Sequence, residues 1–206
     1  MKLKFHYSLA SIAFIFAFSG LYLEILLFFS VILLHELGHI IFLKLFKQKI
    51  CTFNISIVGG ILDVEYKDLS IIKEMIISLA GVIVNCILLI FLKYLDSFYY
   101  QDILIKYNLL FIVFNLLPIY PLDGYRFLEA LLKIKNDPFS EQKILNVISI
   151  FSLLITLVGS IIYFKTLSII IVFGFLGYHN LILHTKYTEF VLKKYVRRYK
   201  YKRVSI

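Results

Sequence analysis

The chain of 206 residues is assembled from apolar runs long enough to cross a lipid bilayer, and this leaves few folds open to it. Runs at Tyr7–Leu23, Ile25–Phe46, Ile71–Leu95, Ile103–Leu122, Ile144–Phe164 and Leu167–His184 are separated by short polar segments. In hydrocarbon every backbone N–H and C=O must be paired internally, so such runs fold as helices. About 20 residues rising roughly 1.5 Å each cover a core of about 30 Å. The expected fold class is an all-α polytopic membrane protein with about six transmembrane helices. Composition agrees, because 61% of the residues are hydrophobic, more than the roughly 45–50% that a soluble domain absorbs. The first run follows Lys2 and Lys4 and reads as an uncleaved span, since the next run begins at Ile25 and leaves no room for a processed N-terminus.

The net charge of +9 has a distribution that fixes an orientation. With six spans and the N-terminus inside, nineteen of the 22 Lys and Arg residues fall on the cytoplasmic side, leaving only Lys93, Lys106 and Lys165 outside. That asymmetry is the positive-inside pattern. It places both termini in the cytoplasm. The chain divides into a membrane domain, residues 1–185, and a basic tail, residues 186–206, with eight cations against the single acid Glu189. Such a tail lies on anionic lipid. Nucleic acid is not an expected partner, because no recognition motif accompanies the charge. Cys51 and Cys86 give no disulfide framework and read as inert thiols.

Two segments depart from the helical pattern. Ile55–Val58 and Ile61–Val64 flank Gly59-Gly60, which predicts a small membrane-associated β-hairpin after the second span with a two-glycine turn. The fourth run is interrupted by Asn115, Pro118 and Pro121. Proline removes a backbone donor and disfavours α conformation in the residue before it. Backbone broken at membrane depth is tolerated only where protein or a water-filled cavity receives it, so a site is expected beside this break.

The second span carries His35-Glu36-Leu37-Gly38-His39. Histidines at i and i+4 share one helical face and can bind one Zn²⁺, while the glutamate beside the first reaches water at the metal. Ionisable groups in an apolar span are costly and mark function. A catalytic zinc needs a third protein ligand and an open position. Asp123, after the broken segment and at the cytoplasmic end of the fourth span, lies at the matching depth. Glu24 and Asp96 sit at the outer edge and Glu65 and Asp68 in a loop, so each fits less well. His179, Asn180 and His184, near the inner end of the last span, are weaker candidates, and His6 is read as interfacial. The expected set is one Zn²⁺ per chain on His35, His39 and Asp123, with Glu36 as the general base. A metal-ion carrier or transporter using the same ligands is the alternative. It requires polar groups along a whole path, whereas here they cluster at one depth.

These motifs carry a resemblance. HELGH in one span and Asn115-Leu116-Leu117-Pro118-Ile119-Tyr120-Pro121-Leu122-Asp123-Gly124 in a later one look like the site-2 protease family of intramembrane zinc metalloproteases. Ala80-Gly81 with Asn85 resembles that family's Ala-Gly-Pro-x-x-Asn element, although Val82 stands where the family has proline. Gly59-Gly60 resembles its membrane-associated hairpin. The likeness covers roughly residues 5 to 185. It implies hydrolysis of a membrane-tethered protein near the cytoplasmic face of a bacterial cell membrane, with Asn85, Asn115, Gly59 and Gly60 contacting substrate. The wording around Asp123 is most similar to the family's sporulation branch. That branch implies a sigma-factor precursor as substrate, regulated intramembrane proteolysis as the process, and membrane inhibitory partners as its gate.

Overall fold

A computed structural model describes residues 2–5, 22–56, 59–65, 69–96, 99–164 and 167–202. The described elements are strand β1 (Lys2–Phe5), helix α1 (Tyr22–Leu45), strands β2 (Lys49–Ser56) and β3 (Gly59–Glu65), and helices α2 (Ile71–Tyr94), α3 (Gln101–Asn115), α4 (Asp123–Leu132), α5 (Pro138–Phe164), α6 (Leu167–Thr185) and α7 (Tyr187–Lys202). Among these, α1, α2 and the Pro138–Ile162 part of α5 are long and apolar enough to cross a membrane. Three of the six expected spans meet this condition among the described residues. The first expected span, Tyr7–Leu23, lies almost wholly outside the described residues. The fourth folds as α3, whose 15 residues reach only about 22 Å before the chain breaks at Asn115.

Beside the expected helices, three strands pair in the order β1-β2-β3, one more than the expected two-stranded hairpin. β1 runs parallel to β2, with Lys2 opposite Thr52, and β2 runs antiparallel to β3. The two-glycine turn is not where the sequence suggested. Gly59 pairs with Ser56 and Gly60 with Ile55, so both glycines belong to the β2–β3 ladder. The strand signature around a Gly-Gly pair does not distinguish a turn from a strand that starts with glycine, and here the ladder takes both residues.

The chain divides into two compact units, Met1–Leu69 with Leu79–Phe114, and Ser70–Ser78 with Asn115–Ile206. In the first, Val31, Ile32 and Phe111 form a buried cluster with Phe28, Phe29, Leu104 and Tyr107 packed against it, joining α1 to α3. Helix α1 comes close to α2 at Gly38, where an added Cβ would lie 2.7 Å from the Ala80 carbonyl oxygen. In the second, Tyr125, Leu145 and Leu183 are buried together, with Tyr120, Leu128, Leu132 and Phe190 around them.

Helix α5 starts six residues before the expected Ile144, and the local chemistry explains why. Asp137 accepts hydrogen bonds from the Phe139 and Ser140 amides at 3.1 and 3.2 Å, capping the helix, and Pro138 fills the first helical position where no donor is needed. The tail is helical through Lys202, and two of its cations face protein. Lys194 pairs with Glu129 at 2.6 Å and with Glu141 at 2.7 Å. Arg198 pairs with Glu141 and donates to the Asn136 carbonyl at 2.7 Å. Glu141 is buried on α5, so α7 is tied to α4 and α5 by charge.

Candidate metal centre

Within the first unit, α1 buries His35, Glu36, Gly38 and His39 along one stripe and exposes Leu33, Leu34, Leu37 and Ile41 on the other. In a water-soluble helix this pattern would be inverted. Here the polar stripe faces protein and the apolar face is left for lipid. The i and i+4 spacing brings the two imidazoles together, with Nε2 of His35 and Nε2 of His39 3.3 Å apart. Two nitrogens each about 2.0–2.1 Å from a tetrahedral zinc lie roughly 3.3 Å from one another. The pair therefore fits a shared Zn²⁺ without rearrangement.

The walls of the His35 pocket come from three helices. The Phe111 ring of α3 packs edge-on against His35, with centroids 4.8 Å apart, and His39 packs edge-on from the other side at 5.0 Å. Gly81 of α2 forms the third wall. A Cβ built there would meet Cε1 and Nε2 of His35 at 2.5 Å, so the imidazole occupies space that any larger residue would take. The glycines thus have a physical reading beyond their wording: Gly38 admits the Ala80 carbonyl, and Gly81 admits the His35 ring. The sequence alone gave no signal that assigned Phe111 or Gly81 to this pocket.

Asn85, one helical turn beyond Gly81, is fully buried. Its backbone carbonyl accepts a hydrogen bond from Asn108 Nδ2 at 2.7 Å. Among the described residues neither Nδ2 nor Oδ1 of its own side chain has a hydrogen-bond partner. A buried primary amide left unpaired costs roughly 1–3 kcal/mol, so the position calls for an explanation other than stability.

The remaining expected residues lie in the second unit or on the sheet. Asn115 ends α3 and is buried. Asp123 opens α4, is 7% exposed and stands in the first turn, where a helix N-terminus favours a carboxylate. Gly124 after it lies against the broken segment, and a Cβ there would collide with the Leu116 carbonyl oxygen. Gly59 and Gly60 lie at the start of β3. His179 and His184 are on α6, in the second unit.

Fold and site together define a helical membrane protein carrying a zinc-compatible histidine pair inside an apolar helix. Comparison with known proteins shows what this class resembles. Residues 95–158 match Peptidase family M50, a stretch that holds Asn115 and Asp123 and begins after the histidine pair. The chain is 36% identical over 132 residues to a zinc metalloprotease of Methanocaldococcus jannaschii, which is 59% of this chain and 38% of that relative's length. The aligned part thus spans well under half of that curated relative. The fold is similar to the solved site-2 protease from Methanocaldococcus jannaschii, with a TM-score of 0.66 and 25% identity over 86% of this chain and 88% of that one. The three findings support one family, the M50 or site-2 proteases.

Proposed function

We propose that this protein is an intramembrane zinc metalloprotease that hydrolyses a peptide bond of a membrane-tethered protein near the cytoplasmic face. The observation that carries the reading is the 3.3 Å separation of the His35 and His39 Nε2 atoms, which is the separation a shared tetrahedral zinc requires. His35, His39 and Asp123 would hold one Zn²⁺, leaving a fourth position open. When bound, the ion supplies Lewis-acid polarisation of the scissile carbonyl and acidifies a water. Glu36, buried beside His35, would serve as the general base that holds the proton and returns it to the leaving amine.

A substrate helix must be unwound before its amides can be attacked. β3 is an edge of the sheet among the described residues, and an edge strand can receive an extended peptide by β-augmentation along Gly59 and Gly60. The unpaired amide of Asn85 offers one donor and one acceptor to a substrate backbone, and Asn115 is the second candidate contact. Six spans with both termini in the cytoplasm of a bacterial cell remain the preferred topology, from the charge asymmetry. The basic tail keeps anionic lipid as a partner through Lys186 and Lys193, which are exposed, while Lys194 and Arg198 are held by protein. The sporulation-type wording around Asp123 favours a sigma-factor precursor as substrate, with membrane inhibitory partners controlling access.

The test is cleavage of a tagged membrane-tethered precursor by zinc-loaded protein and by its Glu36→Gln variant. The variant is expected to keep zinc and lose roughly 10²–10⁴-fold in rate, the contribution of a general base. Undiminished cleavage by Glu36→Gln would remove Glu36 from the mechanism.

A further inference from the structure

The break between α3 and α4 frees backbone groups that a continuous helix would have paired, and the second unit satisfies them with two specific side chains. The Tyr120 N–H donates to Ser149 Oγ on α5 at 2.9 Å. Ser149 Oγ donates in turn to Asn180 Oδ1 on α6 at 2.5 Å. Asn180 Nδ2 donates back to the Tyr120 carbonyl oxygen at 3.1 Å and to the Leu176 carbonyl oxygen of its own helix at 2.9 Å. Both hydrogen-bonding groups of one peptide residue are therefore gripped by a closed circuit of two side chains. Ser149 is fully buried and Asn180 is 7% exposed.

Only Pro121 and Leu122 separate this grip from Asp123. The intervening chain has little freedom, because Leu122 N–H bonds the Ile119 carbonyl at 2.8 Å and Ile119 is fully buried. On the far side Gly124 touches the Leu116 and Leu117 carbonyls, with no room for a Cβ. The segment from Leu116 to Gly124 is thus fixed at its middle by Ser149 and Asn180 and at its end by its own backbone. Apolar residues at 149 and 180 would leave the Tyr120 N–H and C=O buried without partners.

We propose that Ser149 and Asn180 are positioning residues that set the placement of the Asp123 carboxylate by clamping the backbone of Tyr120. This rests on the reading of Asp123 as a zinc ligand. Ligand geometry tolerates only about 0.2 Å, and loss of a group that orients a ligand costs roughly 10–100-fold in metal affinity.

The experiment titrates purified full-length protein with Zn²⁺ against a chelating dye and records the visible spectrum at saturating Co²⁺. Wild type, Asp123→Asn, Asn180→Ala, Ser149→Ala and Ser149→Thr are compared, with thermal melts of each. Expected results are a loss of about tenfold in zinc affinity for Asn180→Ala and Ser149→Ala, an altered cobalt spectrum for both, and recovery in Ser149→Thr, which keeps the hydroxyl. A purely structural role would lower the melting temperature and leave affinity and spectrum at wild-type values; that result overturns the proposal. If Asn180→Ala does not fold, the Ser149 pair decides by the same readouts. Failure of wild type to bind zinc, or binding by Asp123→Asn equal to wild type, would instead overturn the underlying assignment of Asp123.

Discussion

Gly81→Ala is the substitution whose consequence follows most directly from the geometry. The new Cβ would lie 2.5 Å from the near edge of His35, against an ordinary contact of 3.4 Å or more, so the ring must retreat by about 0.9 Å. Phe111 and His39 already pack against the ring, which limits where it can go. A shift of that size exceeds the tolerance of a zinc ligand several-fold. The expected cost is roughly 10–100-fold in zinc affinity, about 1.4–2.7 kcal/mol, with a similar loss of proteolysis at limiting zinc. Stability falls by about 1–3 kcal/mol from overpacking, partly offset by roughly 1 kcal/mol of helix propensity. Gly177→Ala is the control: nothing lies within 4 Å of its Cβ, so it gains propensity and leaves metal binding alone. The assay is chelator competition in detergent, with thermal melts of both variants. Wild-type zinc affinity in Gly81→Ala would refute the claim that His35 needs the space glycine leaves.

Three further outcomes follow from other parts of the structure. Asn85→Leu removes an unpaired buried amide, so the protein is expected to melt higher, by up to about 1–3 kcal/mol of stability, while cleavage drops roughly tenfold; a lower melting temperature would show that the amide is satisfied. Glu141→Gln leaves Arg198 against a neutral group and Lys194 with Glu129 alone, and α7 should become sensitive to trypsin at a cost of about 2 kcal/mol, less than the roughly 3–5 kcal/mol of a fully buried pair because both cations keep some exposure; unchanged digestion would mean that α7 is held without the Glu141 charge. Hydrogen bonds from the Ser140 side chain and backbone hold the Asp137 carboxyl below its usual range, so its contribution to stability is present above the ordinary carboxylate pKa and is lost as pH falls through the lowered one. The difference in melting temperature between wild type and Asp137→Asn should therefore shrink on acidification, and a constant difference would contradict the cap.

The parts of the site that the sequence revealed were those with chemistry in the residue type itself. Two histidines and a glutamate inside an apolar run could be read directly, since lipid tolerates such groups only with a purpose. Pro118 and Pro121 announced the break, and the structure ends α3 at Asn115, just before them. What remained hidden depends on packing. Gly81 looks like any small helical residue until the ring of His35 is placed against it. Ser149 and Asn180 are ordinary polar interruptions of apolar helices, and only the fold shows that both grip Tyr120. Nothing in the sequence singles out Glu141, yet it is a counter-charge for the tail. The β2–β3 register was misjudged because a Gly-Gly pair is as compatible with a strand start as with a turn.

Zinc-edge X-ray absorption on the metal-loaded protein tests the proposed centre most directly. Two imidazole nitrogens and a carboxylate oxygen are predicted near 2.0–2.2 Å, with one oxygen from solvent completing a four-coordinate site, and one imidazole should vanish in His39→Ala. A sulfur scatterer near 2.3 Å, a single imidazole in wild type, or failure to retain one zinc per chain would contradict the assignment of His35, His39 and Asp123.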